Sequence, residues 1–406
     1  MWLLLTISIP ILFYTLYHKP IPSCIDDYYK VSFFTILIRI SHSIGVLLEQ
    51  FKGLKGFNFW ERIFTVLLFS LPIGKPKWLK IEDITISNIP CRVYIPLGAK
   101  RKNNNGIIFA HGGGWCIMKA KYSDLSIYSL VRYTGSVVIS IDYSLSPEAR
   151  FGVAINECEN VIKEFYNNYY KEFNVDRNKI SVMGESAGGN LVIAATLRLC
   201  KNNNVPINKL VLVYPVTGVF NFLLPSYQFY NEYCKDNGML SPENMIRWIL
   251  LYLGLEDHKN AIDIMRKNGH ISKRIRESEN FKESFNVENL MDVIHKEEYI
   301  KGIINYTSPD KELSKAMEPY LLNPEFCPLM ATKKELSHFP PTFVLTTNYD
   351  ILRDEGILFA HKLKLSGVSV QNKNYMKGIH GSMTVPLGKV GLEMSKDIAN
   401  FIDNCS

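Results

Sequence analysis

The chain has 406 residues, 47% of them hydrophobic, enough to bury one large α/β core with an appended subdomain. Its net charge of +7 is spread as lysines among acidic residues, and no nucleic-acid-binding motif accompanies it, so the basic balance reads as a solvated surface. Eight widely spaced cysteines include no C-x-x-C, and no His/Cys cluster has metal-ligand spacing; free, mostly buried thiols are expected, with one or two disulfides left open for an oxidising compartment.

Residues 2–17 are almost wholly apolar and uncharged, interrupted by Pro10 and followed by His18-Lys19-Pro20. This run is shorter than the ~20 residues a membrane span usually needs and sits near the ~17 lower limit. A cleaved signal peptide is the competing reading. Against it, no charged segment precedes the apolar run beyond the α-amino group, and Pro20 and Pro22 crowd the place of cleavage. Charge bias is too small to set an orientation. Residues 31–48 are long enough to span but contain Arg39 and His42, and residues 63–73 are too few. Both read as buried or membrane-surface helices.

Residues 78–87 and 91–96 read as a leading antiparallel strand pair, broken at Asn88-Ile89-Pro90. Next come a strand at 106–110, a helix near 122–133, a strand at 136–141, a helix near 153–170, a strand at 180–183, a helix at 187–200 and a strand at 210–214. Such alternation predicts an α/β fold with a mostly parallel sheet and helices on both faces. The Asn-rich runs at 102–105 and 201–204 read as surface turns.

Two strings in this stretch carry chemistry. His111-Gly112-Gly113-Gly114-Trp115 directly follows the strand at 106–110. Three glycines let the main chain approach a ligand with its N–H groups exposed, as stabilising a tetrahedral oxyanion requires. Gly184-Glu185-Ser186-Ala187-Gly188-Gly189 is a G-x-S-x-G between a strand and a helix. A serine on so sharp a turn presents its hydroxyl clear of the backbone, and the N–H of Ala187 adds an oxyanion donor. G-x-S-x-G alone arises by chance roughly one time in seven in a chain of this length. The glycine-rich loop upstream of it makes the pair specific.

Residues 217–330 are too long for a simple connection and hold their own helix, with Ser241 as N-cap, Pro242 in the first turn and Gly254 as terminator. Phe220, Phe222, Leu223, Leu224, Trp248 and Tyr252 either line an acyl pocket or form ordinary cap core, the second at least as expected for each. The strand at 342–347 ends just before Asp350, and a strand near 368–372 leads to the loop Lys377-Gly378-Ile379-His380-Gly381. An activated serine needs a base, and the base an orienting carboxylate, in the chain order Ser, Asp, His. Asp350 and His380 fit that order. Asp354 and Glu355 are assigned to the N-terminus of the following helix, and His361 to its interior.

The combination of H-G-G-G-W, G-E-S-A-G-G, D-I-L-R-D-E-G and G-I-H-G resembles the hormone-sensitive-lipase-like branch of the α/β-hydrolases, within it the arylacetamide deacetylase and neutral cholesterol ester hydrolase group. Residues 138–148, 224–227 and 323–329 match as well, so the likeness covers nearly the whole chain. It implies an eight-stranded, mostly parallel sheet with a helical cap. It makes Ser186 the nucleophile, His380 the base and Asp350 its orienting acid, with oxyanion donors at Gly113, Gly114 and Ala187 and with His111 and Gly112 opening the loop. Residues 1–19 become a signal anchor, 20–75 N-terminal cap helices, 76–216 and 331–406 the core, and 217–330 the cap insertion. Departures from the family are Glu185 for the usual Asp, Ser144 for Arg, Phe151-Gly152 for Phe-Pro, and Thr347 for a Cys, which leaves Cys116 without a disulfide partner.

The implied activity is hydrolysis of hydrophobic carboxylic esters (acylglycerols, sterol esters or acetyl esters) through an acyl-serine, with no cofactor and no metal. Arylacetamide amidase activity is one alternative, and a catalytically silent ligand receptor, as in plant gibberellin receptors, another. The presence of His380 argues against the receptor. The resemblance favours an uncleaved anchor with the catalytic domain in the endoplasmic reticulum lumen, secretion being the alternative. The sequon at Asn305 would be glycosylated there, and the one at Asn404 lies at the extreme end. The expected partners are the ester and the membrane, with neither nucleic acid nor an obligate protein partner.

Overall fold

The computed structural model describes residues 21–70, 74–201, 205–234, 239–290, 307–385 and 388–404. The expected anchor at 1–19 and the Asn305 sequon lie outside the described residues, as does Cys405.

The first element, α1 (Tyr28–Phe69), is two helical arms joined at Gly53, whose φ of 60° and ψ of −163° break the helix. By length and composition it could cross a membrane, with a mean hydropathy of 1.8 over its most apolar stretch, half of which is packed inside the protein. It carries the apolar run at 31–48 and residues 63–69 of the second, whose end at 71–73 lies outside the described residues, and it buries Arg39 and Glu61.

The hairpin β1 (Leu79–Ile86) and β2 (Ile89–Pro96) turns at Ser87-Asn88, both with positive φ, as a two-residue turn matched to the strand twist requires. The expected break at Asn88-Ile89-Pro90 is therefore this turn, with pairing resumed at Ile89. Then follow β3 (Gly106–Ala110), α2 (Asp124–Thr134), β4 (Val137–Ile141), α3 (Val153–Asn167), β5 (Ile180–Glu185), α4 (Ala187–Lys201) and β6 (Leu210–Val213). The helix expected over 153–170 stops at Asn167, and a short 3-10 turn takes over.

After the insertion, which holds α5 (Pro242–Leu253) and α6 (Lys311–Leu321), come β7 (Thr342–Tyr349), α7 (Arg353–Leu365), β8 (Val370–Ile379) and α8 (Val390–Asp403). In α5, Ser241 accepts from the N–H of Asn244 and Gly254 closes the helix with φ 72°, as expected. β8 runs to the residue before His380, so Lys377-Gly378 lie in the strand and not in a loop. Its polar residues Gln371, Asn372, Lys373 and Asn374 stand at the sheet edge, where an apolar run is not needed and the sequence pattern fades.

The eight strands lie in the order β1-β2-β4-β3-β5-β6-β7-β8, with β1–β2 and β2–β4 antiparallel and the others parallel. β3 to β7 are buried throughout because helices cover both faces. One face packs α3, α4 and α7, and the other α2 and α8. This is the architecture the resemblance implied. The parallel strands end on one side of the sheet, so the segments after β3, β5, β7 and β8 meet there.

Candidate active site

Four strand ends supply the site. Ser186 sits between β5 and α4 with φ 53°, a left-handed conformation that costs energy for a serine. The surroundings impose it: Ser186 N–H donates to Val213 O at 2.9 Å, and its carbonyl accepts from Val216 N–H at 3.1 Å. A Cβ on Gly188 would stand 2.2 Å from Ala110 O, so only glycine lets α4 pass this close to the end of β3.

Ser186 Oγ lies 3.1 Å from His380 Nε2, and His380 Nδ1 lies 2.8 Å from Asp350 Oδ2. Asp350 is buried and held in place, with Oδ1 accepting from Leu352 N–H at 2.9 Å and Oδ2 from Thr347 Oγ1 at 3.3 Å. With a carboxylate at Nδ1, that nitrogen carries the proton and Nε2 is free to accept the serine proton. The structure thus joins the three residues that the sequence had separated. Thr347 helps to fix the carboxylate. Cys116 is a free thiol, like the other six cysteines among the described residues.

The glycine loop after β3 curls over Ser186. The N–H groups of Gly113 and Gly114 donate to no group among the described residues, and Ala187 opens α4, where an N–H has no acceptor within the helix. These three N–H groups beside Ser186 thus have no acceptor among the described residues. His111 has no such freedom. It is fully buried, stacks on Tyr143 at 4.3 Å, and its Nδ1 donates to Gly112 O at 2.8 Å. Burial lowers its basicity, so it stays neutral and acts as a strut for the loop.

Two side chains under the site were not legible in the sequence. Glu185 is buried and accepts from Thr384 Oγ1, from Gly112 N–H at 3.3 Å and from Tyr214 OH at 3.4 Å. Burial raises its pKa, and these hydrogen bonds and His380 work the other way. Tyr214 in turn accepts from Met383 N–H at 3.3 Å and rests its ring 4.8 Å from that of His380. The sequence signal for Glu185 was only its place beside the nucleophile.

Asp354 and Glu355 lie in the first turn of α7, as expected, but their carboxylates also bind elsewhere. Both are buried: Glu355 Oε1 accepts from Thr217 N–H at 2.8 Å and Gly218 N–H at 3.3 Å, while Asp354 Oδ2 accepts from Ser226 N–H at 2.6 Å. They anchor the chain where it leaves β6 for the insertion.

A cavity of about 130 Å³ opens beside Ser186 and His380. Its walls come from the glycine loop, from Trp248 and Met245 of α5, and above all from α1, through Phe34, Ile38, Phe64, Leu68, Phe69 and the polar pair His42 and Glu61. Of the six residues proposed as pocket lining from sequence, Trp248 alone is there. Phe220 packs on Phe281 and Phe285, and Phe222 on Tyr227, within the insertion, while Tyr252 stacks on Trp115 of the glycine loop, so these three are packing residues and not pocket lining. Arg62 fixes the second arm of α1 over the site, donating to Cys116 O at 2.8 Å and Ser146 O at 2.7 Å. No group of metal-ligating side chains occurs among the described residues.

A model of the alpha/beta hydrolase fold family matches residues 107–271 and 300–384. The chain is 29% identical to arylacetamide deacetylase of Bos taurus over 95% of this chain and 94% of the relative. It is 28% identical to neutral cholesterol ester hydrolase 1 of Bos taurus over 94% of this chain and 92% of the relative. Among solved structures, a Rhizomucor miehei esterase aligns with a TM-score of 0.61 at 25% identity, covering 85% of this chain and 89% of that one.

Proposed function

The chain belongs to the alpha/beta hydrolase fold family, and from that premise we propose that it is a serine esterase for hydrophobic carboxylic esters, with Ser186 as nucleophile, His380 as general base and acid, and Asp350 as the carboxylate that orients it. The supporting observation is the hydrogen-bonded series Asp350–His380–Ser186 at the edge of a largely apolar cavity. His380 Nε2 takes the serine proton as Oγ attacks the ester carbonyl. The N–H groups of Gly113, Gly114 and Ala187 receive the oxyanion, and its collapse releases the alcohol, protonated by His380. Water, deprotonated by His380, then attacks the acyl-serine and frees the acid and Ser186. Every step is proton transfer and acyl transfer among these groups. An amide would follow the same course with an amine as leaving group, which His380 must protonate.

We assign residues 76–216 and 331–406 to the catalytic core, and 20–75 with 217–330 to a cap. The apolar run at 2–17 suits a signal anchor that leaves the core in the endoplasmic reticulum lumen, where Asn305 would carry a glycan. A deglycosylation shift lost in Asn305→Gln supports that topology, and no shift in the wild type opposes it.

The test of function is hydrolysis of p-nitrophenyl esters, from acetate to palmitate, by membranes carrying wild type or Ser186→Ala. Activity lost in the variant supports the assignment, and its chain-length profile separates an acetyl from a long-chain pocket. Equal inactivity of two folded proteins favours the silent ligand-binding reading. Retained activity in Ser186→Ala overturns the nucleophile.

A further inference from the structure

The wall that α1 gives the cavity is not wholly apolar. The two arms of α1 bring His42 and Glu61 to it, and both line the space that holds Ser186 and His380. Glu61 is 4% exposed, its Oε1 accepting from Ser41 Oγ at 3.2 Å. Its Oε2 accepts no hydrogen bond among the described residues, and His42 Nε2, at 3.8 Å, stands beyond hydrogen-bond distance. Asn244 Nδ2 holds the His42 ring 2.6 Å from Nε2 and 3.0 Å from Nδ1.

We infer that Glu61 and His42 form a polar subsite that takes a hydroxyl group carried on the substrate's chain, so that the preferred esters are hydroxylated ones. This rests on the esterase reading above and names the substrate class within it. The hydroxyl donates to Glu61 Oε2, while the His42 ring, held by Asn244, walls the subsite beside it. Burial pushes Glu61 up to about 7 and His42 down to about 3. His42 is therefore neutral at physiological pH, and Glu61 accepts in either of its protonation states.

Selectivity follows from an asymmetry. A plain alkyl chain filling the cavity would strip water from Glu61 Oε2 and leave the acceptor unpaired, which costs more than a hydrogen bond to it gains. A site built around such a group rejects the analogue that lacks the donor. Apolar walls alone discriminate chain length only weakly.

The experiment compares 4-nitrophenyl alkanoates with their ω-hydroxy counterparts of matched length, short to long. Wild type should favour the hydroxylated member at one length by about tenfold in kcat/KM, and Glu61→Met should erase that preference. Equal kcat/KM for both members at every length overturns the subsite, as does a preference unchanged in Glu61→Met. Should that variant fail to fold, alkylboronic acids with and without a terminal hydroxyl are compared as inhibitors of the wild type. Tighter inhibition by the hydroxylated compound supports the subsite, and equal inhibition overturns it. Hydrolysis of neither ester removes the esterase reading itself, a result distinct from equal hydrolysis of both.

Discussion

Thr384 Oγ1 lies 2.5 Å and 2.6 Å from the two carboxylate oxygens of Glu185, sharing its proton between them. The residue before the nucleophile is thereby clasped by the loop that follows His380. The same carboxylate reaches Gly112 N–H and Tyr214 OH, so the elbow, the glycine loop, the end of β6 and the histidine loop converge on one buried group. Removing it should disturb the relative placement of nucleophile, oxyanion donors and base together.

Glu185→Ala should therefore lower kcat by about 10–100-fold with a smaller change in KM, since misplacement of reacting groups by about 1 Å is costly in rate. Glu185→Asp, which keeps the carboxylate, should recover part of the loss. Steady-state kinetics with a thermal melt of each variant checks this. A lowered melting temperature with unchanged kcat would make Glu185 a purely structural residue.

Gly113 has φ 103°, and a Cβ there would meet the Ile117 carbonyl oxygen at 2.4 Å. That neighbour is backbone and cannot rotate away, so Gly113→Ala must move the loop. Loss of an oxyanion donor predicts a fall in kcat on the order of 10²–10³. Affinity for an alkylboronic acid, which mimics the tetrahedral intermediate, should fall in parallel. Weakened turnover with intact boronate binding would remove Gly113 from the oxyanion site.

Much of this architecture was legible because the buried parallel strands read as short apolar runs such as Ile107-Ile108-Phe109, and because Ser186 and His111 sit in strings whose backbone geometry demands their glycines. Asp350 and His380 were found by chain order. The cavity wall was not. Phe34, Phe64 and Leu68 fall in two runs read as buried or membrane-surface helices of an N-terminal cap, and nothing local marked them as lining; the break at Gly53 folds the two arms back over Ser186. The partners of Glu185 and Glu355 escaped because they stand far away in sequence, at Thr384 and Thr217, where local pattern shows no more than an acid in the serine motif and an acid at a helix start.

Glu355 is the clearer test of that second group. Burial raises its pKa well above the ordinary carboxyl value, despite the Thr217 and Gly218 N–H groups, which favour the carboxylate. Glu355→Gln keeps an oxygen for both N–H donors and should change stability by less than about 1 kcal/mol. Glu355→Ala leaves two buried donors unpaired and should cost about 2–4 kcal/mol. Urea unfolding of both variants measures the difference. Equal effects of Gln and Ala would mean that the acceptor role is not what Glu355 contributes.

Acid stability offers a test of the insertion's core. His270 is fully buried, with Nε2–H donating to Val219 O at 2.9 Å. Burial, with the Arg276 charge adding to it, lowers its pKa from 6.5 to about 4, against the Val219 hydrogen bond. Between those values the unfolded chain binds a proton that the folded chain refuses. The stability contributed by neutral His270 is thus present above pH 6.5 and lost as pH falls toward 4, amounting to about 3 kcal/mol over that window. His42 acts in the same direction, its pKa lowered to about 3, whereas Glu61, raised to about 7, opposes it by favouring the fold as pH falls. His270→Gln can keep a donor to Val219 O without titrating. Its unfolding free energy relative to wild type should therefore improve by roughly 2–3 kcal/mol between about pH 7.5 and about pH 4.5, leaving the His42 and Glu61 slopes intact. A difference independent of pH would mean that His270 accepts its proton without unfolding the insertion around it.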